Sequence, residues 1–534
     1  MSNNTSPRRL YKFKTKPYAH QRAAIKKLLS SGWGGALLCE PRTGKTKTVI
    51  DYISILHQFE GVNRVIVICP VVAIQVWKDQ LAENCPVKYR LVIMDREGRK
   101  YGAMPSFGKD ILDIVLINYD AFSTPGEFVV DRKTGEAKTD EHGNKKRSRT
   151  RGGRYAMLNM VKKWQPQMIV LDESHRIKSP SAKKTRAIWS LGPLADYRVL
   201  MTGTVVTKSQ RLFDIYSQWK FLNPERFVHD DVDRTPLTFA EFKAEYGRWL
   251  PRENYQKYLG ARNENKLHAL IHKDSFSITR EECYDLPPST PQIIPVQLEE
   301  SAATYDAMAE DMVARIESGE ITEASIKLVQ ALRLQQITSG FAKTAPTPKY
   351  PEGRLAIVGS EKLRAIQDRL EDLIEADEKV VIGALFKADI ARLQELGKKL
   401  GVPTFAIHGG VKQVDRAPIP REFSKVKGGA IFIGQPAAAG EAIDLSAASI
   451  LQWYSLPSSW VNFRQFTDRI ALSSKPTFHE FYLAQGTIDE LKYQTLMVDG
   501  DIGKMMITSP ERLLRIGHTF DSAEAVKLFH NVID

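Results

Sequence analysis

Leu37-Leu38-Cys39-Glu40-Pro41-Arg42-Thr43-Gly44-Lys45-Thr46 sets a Gly-Lys-Thr element directly behind a short apolar run that reads as a strand. In a loop of this kind, backbone N–H groups and the following helix N-terminus cradle phosphate. The lysine neutralises the β- and γ-phosphates of ATP, and the next hydroxyl ligates Mg²⁺. Lys45 and Thr46 take those two roles in this reading, with Thr43 and Gly44 in the loop. The full pattern asks for a glycine at position 39, where the chain has Cys39. Taken alone, the stretch reads equally as an ordinary glycine-containing turn from strand to helix.

The surroundings repeat the same local pattern. Ala36–Cys39, Val65–Cys69, Ile114–Ile117, Met168–Leu171 and Val199–Met201 are short apolar runs separated by helical patterns. That alternation predicts a doubly wound parallel sheet covered on both faces, with ligands at the carboxyl ends of its strands. A second α/β series begins near Ser360 with Val380–Gly383, Thr404–Ile407, Ala430–Ile433, Ile450–Trp453 and His479–Leu483. Between the two series, from about Phe227 to Tyr350, long polar helical patterns such as Ser301–Gly319 and Glu320–Ser339 predict a mainly helical insertion. The expected division is therefore 1–226 for the first lobe, 227–355 for the insertion, 356–499 for the second lobe and 500–534 for a tail. Two such lobes imply a cleft. Asp131–Arg154 is dense in Lys, Arg and Gly without apolar periodicity, and is expected to be a basic loop or hairpin inserted in the first lobe.

Composition bounds the function classes. A chain of 534 residues with 43% hydrophobic and 26% charged residues has the balance of a globular protein with several cores. No run of about 18 apolar residues occurs, and the first residues are polar and charged, so a soluble, non-secreted, cytoplasmic location is expected and a membrane partner is not. The four cysteines form no CxxC pair, which indicates neither a zinc ribbon nor a disulfide framework. The net charge of +13 suits a polyanionic partner, as it also suits a generally basic surface.

Met168-Ile169-Val170-Leu171-Asp172-Glu173-Ser174-His175 ends a strand in paired carboxylates. An aspartate there can hold the Mg²⁺ shell, and the adjacent glutamate can orient and deprotonate an attacking water. The competing reading is an acidic N-cap for the next helix. Thr202-Gly203-Thr204 marks another strand end, by itself a simple turn.

In this order the set resembles superfamily 2 helicases and translocases. Gly44–Thr46, Asp172–His175 and Thr202–Thr204 look like motifs I, II and III, and Tyr18-Ala19-His20-Gln21 is similar to the adenine-recognising glutamine motif, with Gln21 as the reader. Cys69-Pro70 through Trp77 looks like motif Ia, which implies backbone contacts to nucleic acid from Pro70 and Trp77. The stretch from Thr202 through Leu212, Trp219, Phe221-Leu222-Asn223-Pro224 and Phe227 is similar to the Snf2-like (SWI/SNF-related) branch, as are Leu286-Pro287-Pro288 and Ser360-Glu361-Lys362-Leu363. Ala438-Ala439-Gly440-Glu441-Ala442-Ile443-Asp444-Leu445 looks like motif V, with Gly440 in a DNA-coupling role. Trp460 to Arg469 looks like the approach to motif VI, and Gly486-Thr487-Ile488-Asp489-Glu490 closes the lobe.

The resemblance covers roughly residues 15–495 and implies two RecA-like parallel-sheet lobes, ATP and Mg²⁺ as cofactors, and an ATP-dependent translocase on double-stranded or branched DNA. It is similar to minimal phage or bacterial members, which would place it in a host cytoplasm if phage-encoded. Lys45, Asp172, Glu173, Gln465 and Arg469 would carry catalysis, Thr46 and Asp172 the metal, and Thr202, Gly203 and Thr204 the coupling. Leu472 stands where the family usually has a second motif VI arginine. Two rivals remain open at this point: a strand-separating or branch-migrating helicase, and a DNA-binding clamp with little or no ATPase activity.

Overall fold

The apolar runs of the first half become β1 (Gly34–Cys39), β2 (Arg64–Cys69), β3 (Tyr89–Met94), β4 (Leu112–Asn118), β5 (Met168–Asp172) and β6 (Tyr197–Thr202). Successive residues of each strand face opposite layers. Leu37, Val65, Val67, Ile114 and Val170 pack in one cluster with Val49 and Ile53 of helix Lys45–Glu60 and Trp77 of helix Ala73–Asn84. Leu38, Ile66, Ile68, Ile169 and Leu171 pack in the other, with Val161, Ile188 and Trp219 from helices on the opposite face. All these strand residues are fully buried, which is why they read as unbroken apolar runs rather than alternating ones.

The computed structural model describes residues 11–94, 104, 111–122, 156–206, 212–229, 234–251, 256–317, 324–343, 354–416, 418–439 and 443–507. The basic stretch 131–154, Gly440 with Glu441 and Ala442, and the tail beyond Ile507 lie outside them. Beyond β6 come a hairpin of β7 (Gly247–Pro251) and β8 (Gln256–Ala261), then β9 (Ser275–Ile278). The first sheet has the order β3-β4-β2-β5-β6-β1-β9 and is parallel throughout.

The second half supplies β10 (Ser289–Val296), a small pair of β11 (Phe341–Lys343) and β12 (Leu355–Ile357), and then β13 (Lys379–Gly383), β14 (Thr404–Ile407), β15 (Ala430–Gly434), β16 (Ile450–Trp453) and β17 (Thr477–Ala484). Six of them form a second parallel sheet, β10-β17-β16-β13-β15-β14. Among the described residues no helix is long and apolar enough to cross a membrane.

The expected boundaries at 226 and 355 differ from the observed division. One compact unit runs to Tyr284 and the other is Asp285–Asp501. The intervening stretch holds helices together with the β7–β8 hairpin, and β9 completes the first sheet beside β1 while β10 completes the second beside β17. Both are edge strands with weak sequence signals. β9 is four residues long, and β10 carries Pro291 and Pro295 on a largely exposed strand, which an edge tolerates because one side of its backbone needs no partner.

In the second unit a buried ion pair ties the helices to the sheet. Lys362, in helix Glu361–Glu375, pairs with Asp489, in helix Ile488–Ile507, and each side chain is 2% exposed. Lys362 Nζ also donates to the Tyr454 carbonyl at 3.2 Å, while Asp489 accepts from Thr338 Oγ1 at 3.1 Å and from the Ala484 N–H at 3.3 Å. Five segments meet at one buried pair. Removing one partner strands the other charge, at a cost of about 3–5 kcal/mol. Lys362→Met should therefore destabilise the unit by that amount in urea unfolding, and Lys362→Met with Asp489→Asn should recover most of it. Equal loss in the single and double variants would show that the pair is not the anchor.

Candidate active site

The carboxyl ends of β1, β5 and β6 lie side by side because the three strands are neighbours in one parallel sheet. The loop Glu40–Gly44 leaves β1 and enters helix Lys45–Glu60. Arg42 and Gly44 are both left-handed, with φ of 68° and 78°. Gly44 is required for a second reason, because a Cβ there would collide with the Gln21 amide. Lys45 Nζ donates to the carbonyls of Cys39 and Glu40 at 2.8 and 3.0 Å, which holds the ammonium over the strand end. Thr43 Oγ1 closes the loop on the Glu40 carbonyl at 2.8 Å, and Thr46 sits half-buried in the first turn of the helix.

Gln21 is almost fully buried, and both polar ends of its amide are engaged. Oε1 accepts from the Tyr18 N–H at 2.9 Å, and Nε2 donates to the Gly44 carbonyl at 3.3 Å. His20 Nε2 meets the Thr43 carbonyl at 2.9 Å. The structure thus brings the sequence-predicted Gln21, Thr43, Gly44, Lys45 and Thr46 to one loop, with Gln21 as its brace. Residues far along the chain complete the loop. The Arg280 N–H donates to Glu40 Oε2 at 3.0 Å, and the Tyr284 hydroxyl to the Arg42 carbonyl at 3.0 Å. Neither carried a sequence signal, since both follow edge strand β9, which the apolar pattern missed.

Asp172 ends β5, buried, and its Oδ2 accepts from the Trp77 indole N–H at 2.9 Å. The Tyr119 hydroxyl donates to the Asp172 carbonyl at 2.8 Å. Burial and the neighbouring Glu173 raise the Asp172 pKa, against the Trp77 bond and Lys45. For Glu173 burial acts upward too, but the bond and charge of His175, with Lys45 and Arg176, outweigh it and hold the carboxyl low. Glu173 is also left-handed at φ 54°, which turns its side chain away from the strand direction.

His175 Nδ1 lies 3.3 Å from Glu173 Oε2 and 3.3 Å from Thr202 Oγ1. Thr202 Oγ1 donates to the Thr204 carbonyl and accepts the Thr204 N–H, both at 3.0 Å. A polar chain therefore runs from Glu173 to Thr204. Gly203 allows its close approach to the phosphate loop, because a Cβ there would lie 2.8 Å from Pro41 Cδ. A further brace missed in the sequence is Gln218, which accepts from Ser174 Oγ at 2.7 Å and donates to the Val205 carbonyl at 2.9 Å.

One expectation fails here. Trp77 has no exposed surface and Pro70 is buried at the end of β2, so neither side chain can touch a nucleic-acid backbone. The exposed residues of that segment are Val71 and Gln75. Trp77 is a positioning residue for Asp172 instead. Among the described residues no group of three His, Cys, Asp or Glu is arranged to hold a metal. One buried carboxylate with one helix-terminal hydroxyl, Asp172 with Thr46, is nevertheless the sparse oxygen set that suits Mg²⁺, which keeps most of its waters and takes phosphate oxygens.

In the second unit, Gln465 and Arg469 sit in and just past helix Trp460–Thr467. Arg469 donates from Nε to the Gln465 carbonyl at 2.8 Å and from Nη1 to the Ile443 carbonyl at 3.1 Å. Arg464 pairs with the buried Asp468 at 3.0 Å, and Leu472 is half-buried in the turn beyond.

Comparison with known proteins gives a match to the SNF2-related domain over residues 20–339 and to the helicase conserved C-terminal domain over residues 361–471. Among curated proteins the chain is 22% identical to the ISWI chromatin-remodeling complex ATPase CHR11 of Arabidopsis thaliana, over 81% of this chain and 37% of that protein. It is 24% identical to the DNA annealing helicase and endonuclease ZRANB3 of Bos taurus, over 62% of this chain and 29% of that protein. The chain thus spans about a third of the length of these relatives. A solved Sulfolobus solfataricus SWI2/SNF2 ATPase core in complex with dsDNA aligns at TM-score 0.39 and 19% identity, over 94% of this chain and 97% of that one.

Trp77→Phe keeps a ring in the core and deletes the N–H. The unpaired Asp172 oxygen should cost about 1–3 kcal/mol of stability in urea unfolding. The same change should raise, several-fold, the Mg²⁺ concentration needed for half-maximal nucleotide binding. In an Asp172→Asn background both effects should shrink, and full additivity would remove Trp77 from the site.

Proposed function

The chain belongs to the SNF2-related family, and from that premise we propose that it is a DNA-dependent ATPase that moves along double-stranded DNA. The observation that carries this reading is the unbroken polar chain Glu173–His175–Thr202–Thr204 beside the Lys45 loop. It joins the group that would face an attacking water to the strand end that leads towards helix Asp214–Leu222, as coupling of hydrolysis to movement requires.

In this reading Gln21 and His20 set the loop, and the main chain of Thr43 and Gly44 with Lys45 grips the phosphates. Thr46 and Asp172 would hold Mg²⁺, which when bound supplies charge neutralisation at the β- and γ-phosphates. Glu173 orients the water and takes its proton as the bond from the γ-phosphorus to the ADP oxygen breaks. Gln465 and Arg469 are the second unit's contribution, and Arg469 stands in for the arginine that Leu472 replaces. DNA is held through its phosphates, with little dependence on base sequence. The division into a nucleotide-binding lobe, a helix-rich insertion and a second lobe is functional in this reading, although the chain boundary between the compact units falls after Tyr284.

The resemblance to a protein named as a DNA annealing helicase supports a second reading, in which the same motor acts on branched DNA. A clamp without turnover is disfavoured by the joint placement of Lys45, Asp172 and Glu173.

Lys45→Ala should abolish DNA-stimulated ATP hydrolysis, and hydrolysis that survives it would defeat the assignment. Glu173→Gln should retain nucleotide binding while turnover falls about 10²–10⁴-fold. Arg469→Ala should lower kcat by about 10³-fold or more if it is the finger, whereas Leu472→Ala should change it little. Triplex displacement compared with unwinding of forked duplexes separates translocation from strand separation.

A further inference from the structure

The β7–β8 hairpin belongs to neither large sheet, yet its root is locked by rings. Trp249 stacks on Phe213 with centroids 5.6 Å apart and meets Tyr258 edge-on at 5.1 Å. Its indole N–H donates to the Lys243 carbonyl at 2.9 Å, and the Lys243 ammonium lies 5.1 Å from the ring centroid. Gly247 is the residue that lets the strand leave helix Phe239–Tyr246 so closely, since a Cβ would lie 2.6 Å from the indole nitrogen. A bulge between Arg248 and Trp249 follows. It breaks the register so that Trp249 packs inward while Arg248 is exposed.

Between helix and hairpin lies a hollow of about 600 Å³ whose lining includes Lys243, Arg248, Arg262, Trp249 and Gln256 and contains no carboxylate. Arg248 lies across Gly260 on the partner strand, where a Cβ would come within 3.1 Å of Nη2. Arg262 uses Nε on the Glu245 carbonyl at 2.9 Å. Among the described residues none of the three cations makes an ion pair. The nearby acids are engaged or weakened: Glu245 pairs with Lys266 at 2.9 Å, and burial raises the Glu264 pKa against the pull of Arg248. Three cations gathered on a rigid frame repel one another, and a polyanion relieves that repulsion. The forked donors of two arginines suit phosphate oxygens.

We propose that this hollow is a binding site for backbone phosphates of DNA, a grip on the first unit separate from the nucleotide loop. It rests on the reading that the chain acts on DNA. The site reads charge and spacing rather than base identity, and its hairpin holds the phosphates at a fixed height above helix Phe239–Tyr246.

The test measures nucleotide-free binding of the full chain to duplex and forked oligonucleotides by fluorescence anisotropy across a salt series. Arg248→Ala with Arg262→Ala should weaken binding about tenfold or more at low salt. It should also reduce the slope of log affinity against log salt by about 2, close to one unit per phosphate contact. Arg248→Lys with Arg262→Lys should keep most of the affinity. Gln256→Glu, which alters only an exposed side chain, should weaken binding without shifting the unfolding midpoint. DNA-free ATP hydrolysis should be unchanged in all three. If the wild-type chain binds DNA and the alanine pair matches it in affinity and slope, the site is overturned while the DNA reading stands. If the wild-type chain binds no DNA, both fall.

Discussion

Burying the Asp172 carboxylate at the end of β5 is the constraint around which the first unit is arranged. A carboxylate taken out of water is tolerated only with donors or counter-charges in place. Here the donor comes from Trp77 and the counter-charge from Lys45, while Tyr119 fixes the main chain behind it. Each partner is delivered by a different element. The strand order that sets β1, β2, β5 and β6 as neighbours is what makes the meeting possible. The loop is also intolerant of bulk, since a Cβ at Gly44 would meet the Gln21 amide and one at Gly203 would meet Pro41.

The second unit solves a related problem differently. Its buried charged and polar side chains face inward to one another, with Lys362 paired to Asp489 and the Ser455 hydroxyl donating to Asp389, and they join helices to the sheet rather than presenting a reactive group. Arg469 follows that pattern, with its guanidinium on two carbonyls of its own unit. An arginine held that way is pre-oriented, and two of its five N–H donors are committed to the main chain.

Most of the strands were legible in the sequence because a parallel strand buried on both faces leaves an unbroken apolar run. Those at β1, β2, β4, β5 and β6, and at β13 to β17, stand where the runs predicted them. Within the two large sheets the strands that escaped notice are edge strands β3, β9 and β10, where partial exposure allows polar residues and even proline; the two small pairs, β7–β8 and β11–β12, escaped it as well. Missing β9 and β10 displaced the boundary between the units from Tyr284 to positions on either side of it. The phosphate loop and the paired carboxylates were legible for a similar reason, since their chemistry fixes residue types at fixed local spacing.

What the sequence determined by itself was local: an apolar run, a Gly-Lys-Thr turn, an Asp-Glu pair, and their order along the chain. Tertiary structure decided the partners. Trp77 looked like a surface contact because its neighbours fit such a motif, yet its indole lies against a carboxylate 95 positions away in the chain. Arg280 and Tyr284 reach the loop from more than 200 residues downstream. The basic hollow at the hairpin exists only once Lys243, Arg248 and Arg262 are folded together. Hydrogen bonds and charge pairs act over a few ångströms of space, so spacing along the chain reveals them only when both partners lie on one element.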